Sequence, residues 1–304
     1  MTKVIMDVDT GGDDAVAMLM AGHAPELELV AVTVVHGNAA LPTTLRNTLA
    51  TLEAGGLASV PVYAGAERAL QDRLPPRGVT QGRELSLPEP VMTPQDKHAV
   101  DFLIEYYLGT DDETILMPIG PMTNIALALL QEPRLAERIP RIVMMGGAYA
   151  EGNVTPSAEF NIYADPEAAR VVFRAGIPIT MIGLEVTAQA LVSLEDAEAI
   201  RSLGTPASRV AADLIAEEVQ WFIDRLGWAG GQIYDACTVA ACIAPDIVTT
   251  RPMHVDVELA GELTRGRTVC DISGHHDQPP NVDVGTGIDR ERFISLLIRC
   301  LGAG

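Results

Sequence analysis

The chain predicts an open, mostly parallel α/β sheet flanked by helices, with a ligand crevice at the carboxyl ends of its strands. Three observations carry this reading. Short apolar, β-branched runs alternate with segments of helical period through the first 185 residues, which is the pattern of a parallel sheet covered on its faces. The first run, Val4-Ile5-Met6, hands over to an apolar helical segment through Asp7-Val8-Asp9-Thr10-Gly11-Gly12-Asp13-Asp14. Four carboxylates thus fall within eight residues at a strand-to-helix junction, the kind of place where such sheets bind ligands. The third is size: 304 residues with 48% hydrophobic content supply a sizeable core for one continuous domain over 1–304.

Taken in order, strands are expected at Lys3–Asp9, Leu27–Val34, Val60–Ala64, Glu113–Met117, Arg141–Met145 and Ile179–Gly183. Helices are expected near Asp14–Ala21, Thr43–Ala54, Lys97–Leu108, Thr123–Leu130, Pro166–Ala175 and Leu194–Leu203, with Pro166 suited to a first turn. Two stretches break the alternation: Glu67–Met92, rich in Pro, Gly and Arg, and Gly146–Asp165, rich in small and polar residues. Irregular stretches of that length in a compact domain are usually functional lids or disordered segments. The second follows a strand directly, so it belongs over the same carboxyl edge as the acidic turn. Beyond it, a long helix over Ala207–Leu226 stops at Gly227, before a glycine-rich hinge around Gly230-Gly231. The tail reads as a helix over Cys237–Ile243, strands near His254–Leu259 and Arg267–Ile272, and a closing helix over Asp289–Leu301.

Charge removes several classes of partner. Acidic residues outnumber basic ones 41 to 21, a formal charge of -20 with no offsetting Lys/Arg cluster, so nucleic acid and anionic membranes are poor partners. No apolar run reaches membrane-spanning length. The N-terminus lacks the basic stretch and apolar segment of a signal peptide. Cys237, Cys242, Cys270 and Cys300 lie in apolar contexts without paired metal spacing, as expected of reduced, mostly buried thiols in a cytoplasmic protein.

The acidic turn needs either solvent or a cation, because two like charges about 4 Å apart repel by about 4 kcal/mol at an effective dielectric near 20. Alternation places Asp7 and Asp9 on one face if the strand runs that far, while Asp13 or Asp14 falls where a helix N-cap would sit. With no Cys or His close by, the donors are hard oxygens, which suit Ca²⁺ or Mg²⁺ rather than zinc. A Ca²⁺-binding EF-hand loop does not fit, since its fifth and twelfth places hold Gly11 and Met18. A haloacid-dehalogenase-like phosphatase begins with the same D-x-D-x-T, but the downstream lysine and second acidic pair are missing: the lysines are Lys3 and Lys97, and neither follows a strand.

Further motifs extend the pattern. His36-Gly37-Asn38 follows the second strand; Pro118-Ile119-Gly120-Pro121-Met122-Thr123-Asn124 follows the fourth. Then come Met145-Gly146-Gly147, Gly152-Asn153, Ala158-Glu159-Phe160-Asn161, Asp165-Pro166-Glu167-Ala168-Ala169 and Tyr234-Asp235. Together with Asp7 to Asp14, these segments closely resemble the nucleoside hydrolase family, the inosine-uridine-preferring N-ribohydrolases, from residue 3 to about 270. The resemblance implies a Rossmann-like fold with one Ca²⁺ at the bottom of the crevice, bound by Asp7, Asp9, Asp14, Asp235 and the main-chain carbonyl of Ile119. It implies that Asp13, Asn38, Asn153, Glu159 and Asn161 hold the ribose hydroxyls, with Met145 packed beside them. The implied activity, part of purine or pyrimidine salvage, is hydrolysis of ribonucleosides to ribose and free base. Asp9 orients and deprotonates a water that attacks C1′ as the sugar becomes oxocarbenium-like. The resemblance also implies a homodimer or homotetramer.

The chain departs from the family at the leaving group. Tyr234 stands where many members have a His before the final Asp, and a phenol of pKa near 10 is a weaker acid. Gln81-Gly82 stands where the lid often carries His-Gly. Tyr234 and Gln81 are therefore base-pocket candidates, together with Trp221, Phe222 and Trp228, whose rings could stack on a base or simply pack the helix. His36 is expected to be a structural histidine, and His275-His276-Asp277, set among Gly274 and Pro279-Pro280, a solvated loop rather than a second metal site. The leading reading is a nucleoside hydrolase. A non-catalytic ribose or nucleoside binder and a hydrolase of another N-riboside are the alternatives.

Overall fold

The computed structural model describes residues 1–71, 84–275 and 277–304. In chain order the elements are β1 (Thr2–Val8), α1 (Gly12–His23), β2 (Leu27–Val34), α2 (Leu41–Ala54), β3 (Val62–Ala64), α3 (Ala99–Gly109), β4 (Ile115–Pro118), α4 (Thr123–Gln131), β5 (Ile142–Met145), α5 (Phe160–Ala164), α6 (Pro166–Phe173), β6 (Ile179–Ile182), α7 (Leu184–Thr187), α8 (Leu194–Arg201), α9 (Pro206–Leu226), α10 (Tyr234–Ile243), β7 (Val248–Met253), β8 (Val255–Val257), β9 (Thr268–Cys270), β10 (Val282–Ile288) and α11 (Arg290–Leu301). The main sheet runs β3-β2-β1-β4-β5-β6-β10-β7. Its pairings are parallel except that β7 runs antiparallel to β10. The expected mostly parallel sheet is therefore present.

Strand order reverses between β1 and β4, where the chain leaves in opposite directions and a crevice must open at the carboxyl ends. The alternation of β1 assigns its faces. Val4, Met6 and Val8 enter one apolar cluster with α1, α9 and α11, while Ile5 enters the other with α3, α4 and α6. Asp7 shares the face of Ile5 by the period of two. Residues 14–21 of α1 are all buried, because this helix packs against α2, α9, α10 and α11 on several sides; an apolar helix without a polar face belongs inside.

The tail departs from expectation. The strands expected near His254–Leu259 and Arg267–Ile272 are the shorter β8 and β9, which form a separate antiparallel pair. Two strands that complete the main sheet, β7 and β10, carry weak strand signals. β7 reads VTTRPM, with Pro252 on an edge, and β10 contains Gly285 and Gly287; proline and glycine depress strand propensity. Gly285 is required where it is, since a Cβ there would lie 2.6 Å from Val186. The expected hinge at Gly230-Gly231 is instead pinned: Gly231 exchanges two main-chain hydrogen bonds with Val192, at 2.8 and 2.9 Å. Helix α10 starts at Tyr234 rather than Cys237, which brings Tyr234 and Asp235 into its first turn.

The irregular stretch Glu67–Met92 is strapped to α2 where it is described. The Leu85 N–H donates to Asn47, Arg46 donates to the Leu85 and Leu87 carbonyls, and the Val91 and Met92 N–H groups donate to Glu53. Cys237, Cys242 and Cys300 are buried free thiols, and Cys270 is half-buried. No helix among the described residues is long and apolar enough to cross a membrane.

Helix α11 closes the fold by placing the fully buried Phe293 in the core. Phe293→Ala is expected to reduce unfolding stability by about 3–5 kcal/mol, measured by urea denaturation. A loss below about 1 kcal/mol would mean that α11 is not docked as described.

Candidate active site

The acidic turn is shaped by hydrogen bonds from uncharged groups. Asp7, fully buried near the end of β1, accepts at Oδ1 from the Thr33 hydroxyl at 2.5 Å and the Asn124 amide at 2.8 Å. Its Oδ2 is buried with no hydrogen-bond partner. Burial pushes this carboxyl up to about 7. Two residues on, Asp9 Oδ2 accepts the Asn38 N–H at 2.6 Å. Glycines make that approach possible, since a Cβ on Gly37 would overlap Asp9 Oδ2, and one on Gly120 would lie 2.6 Å from Oδ1.

Neither Asp13 nor Asp14 is the N-cap of α1; Gly11 is. Asp14 does the capping from the third helical position. Its Oδ2 accepts the Gly11 N–H at 2.8 Å and its Oδ1 the Asp9 N–H at 3.1 Å, satisfying donors that a helix start leaves open. The Asn38 side chain also donates to Asp14 Oδ2 at 3.2 Å. Burial, then the neighbouring Asp13, raises Asp14 to about 7.

Asp235, from the first turn of α10, completes the group. Carboxylate oxygens of Asp13, Asp14 and Asp235 lie within 4.8 Å of one another. Burial raises Asp235 well above the ordinary range, and Asp13, Asp14, Asp9 and Glu159 add to it. Asp9 is likewise raised by burial and then by Asp14. Asp7 and Asp9 fall outside the tight trio, although Asp9 is tied to it through Asp14 and Asn38. Asp13, expected on the ribose side, stands beside two of the expected metal ligands.

The exits of β4 and β5 are joined by a side chain of the long segment that follows β5. Asn161 donates through its amide to the Ile119 carbonyl at 2.8 Å and to the Met145 carbonyl at 3.2 Å, with Met145 Sδ at 3.5 Å. The Ile119 oxygen retains a second lone pair. Glu159 caps α5 and clamps this segment, accepting from the N–H groups of Gly147 (2.8 Å), Asn161 (3.0 Å) and Ile162 (3.3 Å). Asn153 accepts the Phe160 N–H at 2.9 Å. Burial, with Asp13, Glu218 and Glu159 nearby, pushes Tyr234 above its ordinary value, so it holds its proton more tightly than a free phenol.

Tyr234 continues into a run of rings. Its centroid lies 6.3 Å from Phe222, which stacks on Trp228 at 5.1 Å and meets Trp221 edge-on at 5.2 Å. Phe222 is 3% exposed and packs the interior, whereas Trp221 and Trp228 are 50% and 38% exposed. Gln81 lies outside the described residues. His36 Nε2 sits 3.2 Å from the Thr123 hydroxyl, and burial pushes the ring down to about 4. His275 stands on an exposed loop, and His276 is outside the described residues.

Three residues essential to this geometry received no role from the sequence: Thr33, Asn124 and Asn47. Asn47 donates to the Thr10 carbonyl at 3.0 Å and accepts the Leu85 N–H at 2.9 Å, so it joins the acidic turn to the segment after β3. A signal existed. Thr44, Asn47, Thr48 and Thr51 form a stripe at helical spacing that reads as a solvated face, yet all four are buried.

Chemically, the crevice gathers oxygen donors and uncharged amides around crowded acids, an arrangement suited to a hard cation and to sugar hydroxyls. The sequence matches the family described as inosine-uridine preferring nucleoside hydrolase over residues 4–295. It is 38% identical over 304 residues to the pyrimidine-specific ribonucleoside hydrolase RihB of Escherichia coli O9:H4, covering 98% of this chain and 96% of that protein. Among solved structures, a purine-preferring ribonucleoside hydrolase from Gardnerella vaginalis superposes with a TM-score of 0.90 at 34% identity, over 99% of this chain and 98% of that one. A plant nucleoside hydrolase gives a TM-score of 0.89 at 30% identity, over 100% and 99%. These relatives are N-glycosidases of a family that is in general metal-dependent. Matched by the family's model over residues 4–295 and by these relatives along nearly its whole length, the chain belongs to the inosine-uridine preferring nucleoside hydrolase family.

Proposed function

We propose that the chain cleaves the N-glycosidic bond of ribonucleosides to ribose and free base, using Ca²⁺ held by Asp7, Asp9, Asp14, Asp235 and the Ile119 carbonyl. The observation that carries the cation is the fully buried, unpartnered Oδ2 of Asp7 beside acids that raise one another's pKa. An ionised oxygen in that position is costly without a positive partner. A donor set built entirely from protein oxygens suits Ca²⁺ better than Mg²⁺, which prefers to keep its waters. Bound there, the cation would offset the acids and acidify an adjacent water.

The residues then divide the work. Asp9, pinned through Oδ2 by the Asn38 N–H, accepts the proton of the attacking water. The water oxygen bonds to C1′ as the C–N bond breaks, and the surrounding carboxylates stabilise the positive charge that develops on the ribose ring. Asp13, Asn38, Asn153, Glu159 and Asn161 orient the hydroxyls, with Met145 alongside. Tyr234, in the first turn of α10 beside Asp235, donates a hydrogen bond to the departing base. Trp221 and Trp228, the exposed rings of the run, are assigned to the base side of the crevice, whereas Phe222 packs behind them.

Ribose release should be assayed from uridine, cytidine, inosine, guanosine and nicotinamide riboside, with and without a Ca²⁺ chelator, beside Asp9→Ala. Activity on at least one nucleoside is expected, lost in chelator and reduced at least 100-fold by Asp9→Ala. Binding without release from any riboside would identify a nucleoside-binding protein instead. Release from nicotinamide riboside alone would point to a different N-riboside.

Tyr234→Phe should lower kcat about 10-fold for inosine or uridine, the worth of one hydrogen bond, while sparing p-nitrophenyl riboside, whose leaving group needs no help. An unchanged ratio between the substrates removes Tyr234 from this role.

The raised carboxyls also fix a pH dependence. Asp7 and Asp14, both near 7 when folded without metal, keep protons that the unfolded chain releases near its ordinary value of 3.8. Folded metal-free protein therefore binds more protons than unfolded between about pH 4 and pH 7, so these groups lower stability as pH rises through that window. Ca²⁺ requires the ionised forms. Calorimetric titrations in two buffers of different ionisation enthalpy should show proton release at pH 6 that fades by pH 8; no release at pH 6 would contradict the raised values.

A further inference from the structure

We infer that the two-stranded pair β8–β9 is a brace for the ribose side of the crevice, with Thr268 as its positioning residue: the hydroxyl holds the backbone of Ala148 and so fixes where Glu159 stands. This rests on Glu159 being a ribose contact, as given above. Beyond β5 the chain leaves the main sheet, yet each N–H from Gly147 to Ala150 still has a partner. Gly147 donates to Glu159 Oε2 at 2.8 Å, Ala148 to Thr268 Oγ1 at 2.9 Å, and Tyr149 and Ala150 to Glu185 Oε1 at 2.9 and 2.7 Å. Thr268 also donates to the Ala148 carbonyl at 2.5 Å. One buried threonine thus serves both main-chain groups of a buried residue, the work a neighbouring strand would otherwise do.

The grip reaches Glu159 through a single residue. Gly147 stands between Ala148 and the carboxylate: its N–H is bonded to Glu159, its carbonyl accepts the Leu184 N–H at 3.0 Å, and its φ of +78° favours glycine. A Cβ on Gly147 would lie 3.0 Å from Thr268 Cγ2, so the threonine methyl packs against the turn that its hydroxyl secures. The other donors to Glu159, the Asn161 and Ile162 N–H groups, belong to α5. The carboxylate therefore hangs between α5 and Gly147, and its place depends on both. The brace is itself anchored beside this segment. Val255 and Val257 of β8 pack in one apolar cluster with Ala168 and Val172 of α6. Arg265, between β8 and β9, grips Glu167 of α6 through two bonds of 2.9 and 2.7 Å. A lone two-stranded pair is marginal by itself; held by α6, this one can hold the loop in turn.

Steady-state ribose release from uridine and inosine should be measured, well below the unfolding temperature, for wild type, Thr268→Val, Thr268→Ser, Glu159→Ala and the Thr268→Val/Glu159→Ala double variant. Thr268→Val keeps the shape and deletes the hydroxyl, leaving both Ala148 groups unpaired; Thr268→Ser keeps the hydroxyl. Thr268→Val is expected to lower kcat/KM about 10-fold or more, as displaced contacts do, and Thr268→Ser to stay within about threefold of wild type. Because Thr268 acts through Glu159, Thr268→Val should cost less than about threefold once Glu159 is already Ala. Thr114→Val, at a fully buried threonine that bonds Tyr106 instead, should leave kcat/KM within about twofold of wild type even if it lowers the unfolding temperature. If Glu159→Ala has too little activity to rank, the Thr268 pair decides against the Thr114→Val control. If Thr268→Val does not fold, Arg265→Met, which loosens the same brace from α6, decides in its place by the same criteria. A kcat/KM for Thr268→Val within about twofold of wild type, or losses that simply multiply in the double variant, overturns the inference and leaves the hydrolase reading intact. No ribose from any riboside with wild type overturns the hydrolase reading, and the inference with it.

Discussion

The crevice is governed by one constraint: several carboxylates are held close together away from water, and among the described residues no positive side chain divides them. Burial leads the shift at Asp7, Asp9, Asp14 and Asp235, and at Asp235 the further pressure comes from other acids. Repulsion of about 4 kcal/mol per close pair would pull such a turn apart unless the backbone were fixed from outside. The sheet supplies that fixation. Strand order reverses between β1 and β4, so the ends of two buried strands deliver Asp7, Asp9 and Ile119 to one opening. The first turn of α10 brings Asp235 to the same place.

Around the acids the fold uses asparagine where a lysine or arginine might be imagined. Asn38 ties Asp9 to Asp14, Asn47 ties the acidic turn to the segment after β3, Asn124 ties Asp7 to β2, and Asn161 ties the exits of β4 and β5. An amide offers two donors and an acceptor, so one side chain can join segments of opposite polarity. It does this while leaving the net negative charge in place. A cationic side chain would have satisfied the same carboxylates and abolished their affinity for a metal.

Much of this was legible in the sequence. The alternation of runs gave the parallel part of the sheet because buried strands and amphipathic helices have different periods. The motif residues Asp7 to Asp14, Ile119, Asn161 and Asp235 converge because each follows a strand or opens a helix on one edge. The tail was less readable: Pro252, Gly285 and Gly287 weaken strand signals at positions fixed by tertiary packing. The supporting side chains were hidden for another reason. Thr33 and Asn47 are polar residues inside the fold, and local pattern assigns polar residues to the surface. Their partners lie 26 to 38 residues away, beyond any local window.

The two margins of the main sheet have a consequence for how copies of this chain can meet. At one margin, β3 is three residues long, and its Val62 carbonyl is already taken by the Gln95 N–H at 2.8 Å. At the other, β7 carries Arg251 and Pro252 and reverses direction against its neighbour. Short strands, proline and charge all discourage a foreign strand from adding to a sheet. Main-chain pairing between copies is therefore discouraged at both margins of the main sheet, which leaves helix faces and loops as the better surfaces for contact.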